Sequence, residues 1–213
     1  MSASGESTRP PRRRRRRIVA LAVVLVAGVL TATSACSSVV TPPAVVAEPV
    51  HVAIVDYGRH ASLVLPAGAH RSVEYAYGEW NWFALDKSEW YDAFGTMLVP
   101  TQGALGRRHL ETAPDDPGLA GTVNAESVTT IPVERANADA LRTRLDDRFT
   151  AAADTEHFQA RYDLTFVQDD AKYHVLNNCN QVLLEWLDEL GCETSGPGLR
   201  ADFEVRESRP AAP

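Results

Sequence analysis

Alternating apolar and polar residues dominate the middle of the chain. The runs "VHVAIVDYG" and "HASLVLP" are rich in β-branched residues, and the first closes on the turn signal "DYGR", so they predict two neighbouring strands. The aromatic run "SVEYAYGEWNWFA" predicts a third strand followed by a loop, and "ESVTTIPV" predicts a fourth. Residues 99–121 are rich in Gly, Pro and Asp, which favours a loop with one short helix.

Helical spacing of apolar residues appears in later segments. "NADALRTRLDDRFTAA" predicts a surface helix, and residues 179–190 carry the clearest apolar stripe in the chain. Asn177 or Asn178 caps the start of this second helix, and Gly191 ends it. "SEWYDAF" predicts the start of a further helix capped by Ser88. Together these elements predict an α+β domain with a mainly antiparallel sheet and packed helices.

The first 35 residues have the layout of an export signal. An arginine-rich head precedes an apolar stretch and the small residues "TSAC", which resemble a lipoprotein processing site ending at Cys36. Cleavage there would leave Cys36 as the lipid-bearing N-terminus, while the competing interpretation is an uncleaved signal anchor. Both place the remaining chain outside the cytoplasm, attached to the membrane through its N-terminus.

Composition divides the remaining chain into three parts. Residues 36–49 are small and contain three prolines, which predicts a tether, and residues 50–204 are long enough for one folded domain. Residues 205–213 are predicted to be a disordered tail. The full chain has a formal charge of −7. Without the export signal, the remaining chain contains 14 basic and 27 acidic residues. So acidic a chain does not suit nucleic acid, whose binding depends on Lys and Arg.

Cys179 is predicted to lie at the start of a helix, and it has two interpretations. A bridge to Cys192 is excluded by the predicted helix, which would hold the two backbones ~18–20 Å apart when a disulfide needs about 7 Å. A thiol at a helix N-terminus can be a nucleophile, because the unpaired N–H groups stabilise a thiolate and an acyl oxyanion. Alternatively, Cys179 is a small buried residue beneath the sheet.

A cysteine nucleophile needs a base, and every histidine precedes Cys179 in this chain. His60 follows the "DYGR" turn at the start of a predicted strand. His174, five residues before the cysteine, is its rival as base. The chain lacks the Cys-x-x-Cys and His-Glu-x-x-His spacings, so the sequence predicts no metal site and no cofactor.

Several motifs resemble a known family. "HVAIVDYGRHASLVLP", "VEYAYGEWNWF" and "LNNCNQVLLEWL" look like the bacterial envelope family called domain of unknown function 2459. "GRHASLVLP" followed by "YHVLNNCNQVLLEWLDELG" also resembles the circularly permuted papain-like, NlpC/P60-type thiol enzymes, in which an early-strand His pairs with a Cys on a late helix. The family's own activity is not established, and Ala-Ser after the His and Asn-Gln-Val after the Cys depart from its pattern.

The resemblance implies a site and a reaction. Cys179 would attack a carbonyl, His60 would carry the proton, and Glu79 in "YGEWNW" would orient the imidazole. Asn178 would cap the helix and place the Cys179 amide as the oxyanion donor. The expected function is an extracytoplasmic, membrane-anchored cysteine hydrolase or acyltransferase, with cell-wall peptide as the first substrate class and a lipid ester as the second. The alternative is a non-catalytic envelope lipoprotein that serves as a binding or structural module.

Overall fold

The computed structural model of the chain describes residues 37–58, 60–87, 99–198 and 200–208. The predicted export signal, Cys36 and the helix predicted from Ser88 lie outside the described residues. No helix within the described ranges is long and apolar enough to cross a membrane.

The centre of the fold is a seven-stranded sheet in which every neighbouring pair is antiparallel. Its strands are β2 (Pro49–Asp56), β3 (Ala61–Pro66), β4 (Ser72–Glu79), β5 (Thr101–Leu110), β6 (Ser127–Glu134), β7 (His157–Gln159) and β8 (Leu164–Tyr173). They lie in the order β6-β2-β3-β4-β5-β8-β7. The α+β class and the mainly antiparallel sheet predicted from the sequence are confirmed.

Two helices cover one side of this sheet, which we call the helix face. They are α2 (Arg135–Ala151) and α3 (Cys179–Glu189), and their apolar stripes pack with strand residues such as Leu63, Tyr75 and Tyr77 in the largest core cluster. Both helices were predicted from apolar spacing. Successive side chains along a strand point to opposite faces of the sheet. The residues that precede and follow these core residues in the sequence therefore point away from α2 and α3.

The opposite side, which we call the cavity face, is covered by smaller elements. The short helix α1 (Leu119–Val123) packs with Val64, and a helical turn over Trp80–Ala84 packs with Ala76 and Phe166. The loop predicted after "VEYAYGE" is thus a helical turn, and α1 is the short helix expected within residues 99–121. Both faces of the sheet are buried, which explains why all eight residues of β4 are inaccessible.

Two central strands were not predicted. Residues 99–121 were expected to be mainly loop, yet they contain the ten residues of β5, and β8 begins in the uninterpreted stretch "HFQARYDL". The prediction for β5 was wrong because a high glycine content favours a loop. Gly103 lies at an irregularity in the β5–β8 pairing, where an added Cβ would come within 2.2 Å of the Ala171 carbonyl oxygen. Here Gly permits close backbone approach rather than marking a loop.

A second, three-stranded sheet takes in part of the predicted tether. β1 (Ser38–Thr41) lies between β10 (Phe203–Val205) and β9 (Glu193–Ser195). Val40 is fully buried in the main core. The folded unit therefore includes residues on the N-terminal side of the predicted boundary at position 50.

Candidate functional site

Cys179 is the first residue of α3, as the sequence predicted, and its thiol is buried. Asn178 caps the helix by accepting hydrogen bonds from the backbone N–H groups of Asn180 and Gln181 at 2.9 and 3.1 Å. The Cys179 thiol lies 3.7 Å from the side-chain oxygen of Asn180, to which it donates. Burial raises the pKa of Cys179 to about 11, so the thiol is protonated at neutral pH. Cys179 and Cys192 are both free, as expected.

Glu79 is occupied in a structural role. Its buried carboxylate accepts a 2.7 Å hydrogen bond from the backbone N–H of Trp82 and a 3.4 Å bond from the side-chain amide of Asn81. It therefore caps the helical turn that follows β4. The expected hydrogen bond from His60 to Glu79 is not present, because neither ring nitrogen of His60 bonds to any group within the described ranges.

His60 lies on the cavity face, against aromatic side chains. Its ring centroid is 4.7 Å from that of Phe83 and 6.3 Å from that of Tyr57. Both ring nitrogens are buried, and neither has a hydrogen-bond partner among the residues that the structure describes. Burial lowers the pKa of His60 to about 4, so its imidazole is neutral at pH 7.

The predicted catalytic groups are not assembled in this structure. His60 makes no hydrogen bond to the Cys179 sulfur, since neither of its ring nitrogens has a partner in the described part of the chain. The helix that Cys179 begins packs on the helix face, whereas His60 contacts Phe83, which packs on the cavity face. The alternative base is also engaged elsewhere, because Nδ1 of His174 accepts a 3.2 Å hydrogen bond from the backbone N–H of Leu176. The titratable group beside the Cys179 thiol is instead the phenol of Tyr173.

The thiol is accordingly expected to react slowly and independently of His60. Alkylation of Cys179 by iodoacetamide should be slow at pH 8 and accelerate only as the pH approaches 11, because the thiolate is the reactive form. A His60→Ala variant should give the same rate. Peptide mapping by mass spectrometry separates Cys179 from Cys36 and Cys192. A fast reaction at pH 7 that His60→Ala slows would show that the two residues act together.

A cavity of about 330 Å³ opens beside His60. Its walls are mainly apolar and come from the β2–β3 turn, the helical turn after β4, β5, α1, the β7–β8 turn and the start of β8. The lining residues are Tyr57, His60, Phe83, Arg108, Thr122, Val123, Asn124, Arg161, Tyr162, Asp163, Leu164 and Phe166. The volume lies at the lower end of the range of about 300–1,000 Å³ that is typical of small-molecule sites.

A buried ionic network supports one wall of this cavity. The Glu74 carboxylate is fully buried and accepts hydrogen bonds from the hydroxyls of Tyr57 and Ser62, both at 2.6 Å. Arg108 donates to the same carboxylate from Nε at 3.0 Å and from Nη2 at 2.5 Å. Burial raises the pKa of Tyr57, so its hydroxyl stays protonated and remains a donor. The network fixes the Arg108 guanidinium at the cavity wall.

Two more ion pairs lie at the edge of the cavity. Arg161 donates to Asp86 at 3.3 Å, and its guanidinium carbon lies 5.7 Å from the centroid of Tyr162. Nη1 of Arg108 donates to Asp163 at 3.4 Å. Each cationic side chain that lines the cavity therefore already faces a carboxylate.

Sequence reasoning found His60 but missed the groups around it. Ser62 and Glu74 lie at alternate positions of adjacent predicted strands, so the pattern could have placed both on one face. Arg108 was read as part of a loop, and Tyr162 and Phe166 fall in or next to the uninterpreted stretch before β8. Only the tertiary fold brings these segments together.

Comparisons with protein-family models, curated proteins and solved structures found no match to this chain. The resemblance to the envelope family and to permuted papain-like enzymes therefore stays a prediction. Among the residues that the structure describes, no three His, Cys, Asp or Glu side chains are grouped as a metal site would require.

Proposed function

We propose that this chain is an extracytoplasmic binding module, anchored at the membrane by its N-terminus, whose small ligand occupies the cavity beside His60. The observation that carries this proposal is the cavity of about 330 Å³, whose mainly apolar and aromatic walls include a few polar groups, among them Arg108 and Asn124. Sites for small molecules have this composition, because apolar walls bury the ligand and a small number of polar groups orient it.

The location of the module is proposed from its first 36 residues. Their arginine-rich head, apolar stretch and Cys36 are typical of a lipid-anchored exported protein, with an uncleaved signal anchor as the alternative. The acidic balance of the remaining chain favours a partner other than nucleic acid.

A thiol hydrolase or acyltransferase is the second candidate, acting on cell-wall peptide or on a lipid ester. It is favoured by the position of Cys179 at the first residue of α3, after an early His-bearing segment, which is the chain order of the permuted papain-like arrangement. This candidate requires His60 or His174 to reach the sulfur, together with Glu79 or another group to orient the ring. Burial of the thiol, and the lack of a hydrogen bond from His60 to any group in the described residues, count against it.

Blocking the cavity tests the binding proposal. Thr122 is exposed on α1 and lines the cavity, so Thr122→Trp should fill the space with little cost to folding. We expect the full chain to bind indole, a small planar probe, and the variant to bind it at least tenfold more weakly by NMR titration.

The matched control is Thr143→Trp on α2. Thr143 is also exposed, and its hydroxyl donates to the carbonyl four residues earlier, as that of Thr122 does, but it does not line the cavity. This variant should bind indole like the unmodified chain. Absence of indole binding to the unmodified chain, or equal loss in both variants, would overturn the proposal.

A further inference from the structure

We infer that the ligand of the cavity is an elongated, uncharged molecule with an apolar group at each end and a neutral acceptor oxygen between them. One end occupies the cavity, and the other occupies a second space beside it, which we call the groove. This inference rests on the proposed binding function and narrows it to one class of ligand. It combines the side chains that the two spaces share, the hydrogen bonds of Arg108 and the exposure of Phe158.

The groove adjoins the cavity and has a volume of about 500 Å³. Arg108, Thr122 and Asp163 line both spaces, so these side chains form the wall between them. From this wall the groove extends to Phe149 and Phe158. A ligand that filled the cavity and entered the groove would still lie within the range of about 300–1,000 Å³ that is typical of small-molecule sites.

The wall between the two spaces depends on a weak contact. Nη1 of Arg108 donates to Asp163 over 3.4 Å, a long hydrogen bond, and the Asp163 side chain is 71% exposed to solvent. If Asp163 moved away, Arg108 would keep its buried partner Glu74, because Nε and Nη2 make those bonds. Exposed ion pairs contribute little to stability, so a ligand can displace Asp163 at small cost.

Arg108 supplies a hydrogen-bond donor at this junction. A guanidinium carries five N–H groups and no acceptor. Within the described ranges, Nε makes one hydrogen bond, Nη2 makes two and Nη1 makes one, which leaves one N–H of Nη1 unused. Nη1 is also the atom that contacts the exposed Asp163, so it lies at the solvent side of the guanidinium. An acceptor oxygen of the ligand would bond to Nη1, between the cavity and the groove.

The surrounding charges favour a neutral oxygen over a carboxylate. The two arginines that line the groove are already neutralised, since Arg108 pairs with Glu74 and Arg107 pairs with Asp146. The groove is also lined by three carboxylates, those of Glu111, Glu156 and Asp163. An anionic ligand would be repelled by these groups and would lose hydration on entry. A ketone or ester oxygen accepts the same hydrogen bond without either cost.

The far end of the ligand is assigned to the exposed ring of Phe158. This side chain is 58% exposed, and it is the one aromatic among the exposed large hydrophobic residues in the described part of the chain. It lines the groove together with the buried side chains of Leu110 and Phe149. An apolar group of the ligand that covered these residues would remove their remaining apolar surface from water, which is favourable.

Two ketones test whether the ligand extends into the groove. Benzylacetone has a phenyl ring two carbons from its carbonyl, and phenethyl butyl ketone is the same molecule with butyl in place of the terminal methyl group. Each is titrated into the full chain at pH 7, with chemical shifts as the readout. We expect the longer ketone to bind at least tenfold more tightly, because its butyl group reaches Phe158.

Phe158→Ser should make this advantage at least threefold smaller and leave the affinity for benzylacetone unchanged. The matched control is Leu176→Ser, since Leu176 is 76% exposed but lines neither space. This control should keep the full advantage. Equal binding of the two ketones to the unmodified chain, or an advantage that Phe158→Ser does not reduce, would overturn the inference.

Hydrocinnamate tests the neutral oxygen, because a carboxylate oxygen takes the place of the methyl group of benzylacetone and the shape is nearly the same. We expect benzylacetone to bind at least tenfold more tightly at pH 7, and equal or tighter binding of hydrocinnamate would overturn the inference. If indole and benzylacetone bind but the longer ketone has no advantage, only this inference fails. If neither indole nor benzylacetone binds, the proposed function fails as well.

Discussion

Replacing Glu74 with Ala is expected to lower the free energy of unfolding by about 3–5 kcal/mol, the range for removing one partner of a buried ion pair. The carboxylate is fully buried and receives hydrogen bonds from Tyr57, Ser62 and Arg108. Its loss would leave the guanidinium of Arg108, which is only 10% exposed, without its main counter-charge. Urea unfolding followed by circular dichroism measures the change.

Two further variants show whether burial of the pair causes this effect. Glu189→Ala removes a carboxylate that also pairs with an arginine, Arg144, but both partners are more than 40% exposed, so the expected change is about 0–1 kcal/mol. The double variant Glu74→Met with Arg108→Met should recover most of the stability lost in Glu74→Ala. If Glu74→Ala and Glu189→Ala lowered the free energy of unfolding by the same amount, burial of the Glu74–Arg108 pair would not be what makes it important for stability.

Truncating Phe166 is expected to destabilise the fold and enlarge the cavity together. Phe166 is 1% exposed and forms part of the cavity wall, so Phe166→Ala should cost about 3–5 kcal/mol by lost burial and created space. Toluene should then bind the enlarged site and raise the thermal midpoint of the variant by more than it raises that of the unmodified chain, because a ligand stabilises the state that binds it.

Phe149→Ala is the matched control for this experiment. Phe149 is also 1% exposed, but it packs in the core of the helix face, with Arg107 over its ring. Its truncation should cost a similar amount of stability. Toluene that rescued Phe149→Ala as well as Phe166→Ala would contradict the assignment of a ligand site to the cavity face.

The sequence predicted those elements whose pattern is local. The strands β2, β3, β4 and β6 follow from β-branched and aromatic runs, and α3 follows from its apolar stripe and the Asn178 cap. The strand β5 was missed because its glycines allow close approach of neighbouring backbones and side chains, a tertiary requirement that composition does not reveal. At Gly106, for instance, an added Cβ would come within 2.6 Å of the Phe166 ring.

The candidate site was predicted only in part, for a related reason. Alternation placed Ser62 and Val64 on the same face of β3, and His60 precedes them by an even number of residues. That pattern groups His60 with Ser62 and Val64, but it does not say on which face of the sheet α3 packs. The resemblance to permuted thiol enzymes implied that His60 and Cys179 act together, whereas His60 contacts Phe83 and makes no hydrogen bond to the sulfur in the described part of the chain.

The account depends on His60 being a neutral, unpaired imidazole that faces a ligand cavity rather than the base for Cys179. The most direct test is a pH titration of the His60 ring nitrogens by ¹⁵N NMR, in the unmodified chain and in a Cys179→Ser variant. We predict a pKa near 4 in both proteins, with ring resonances that shift when indole is added. A pKa above 6.5 that falls in Cys179→Ser, with no response to indole, would contradict the account and support a thiolate–imidazolium pair.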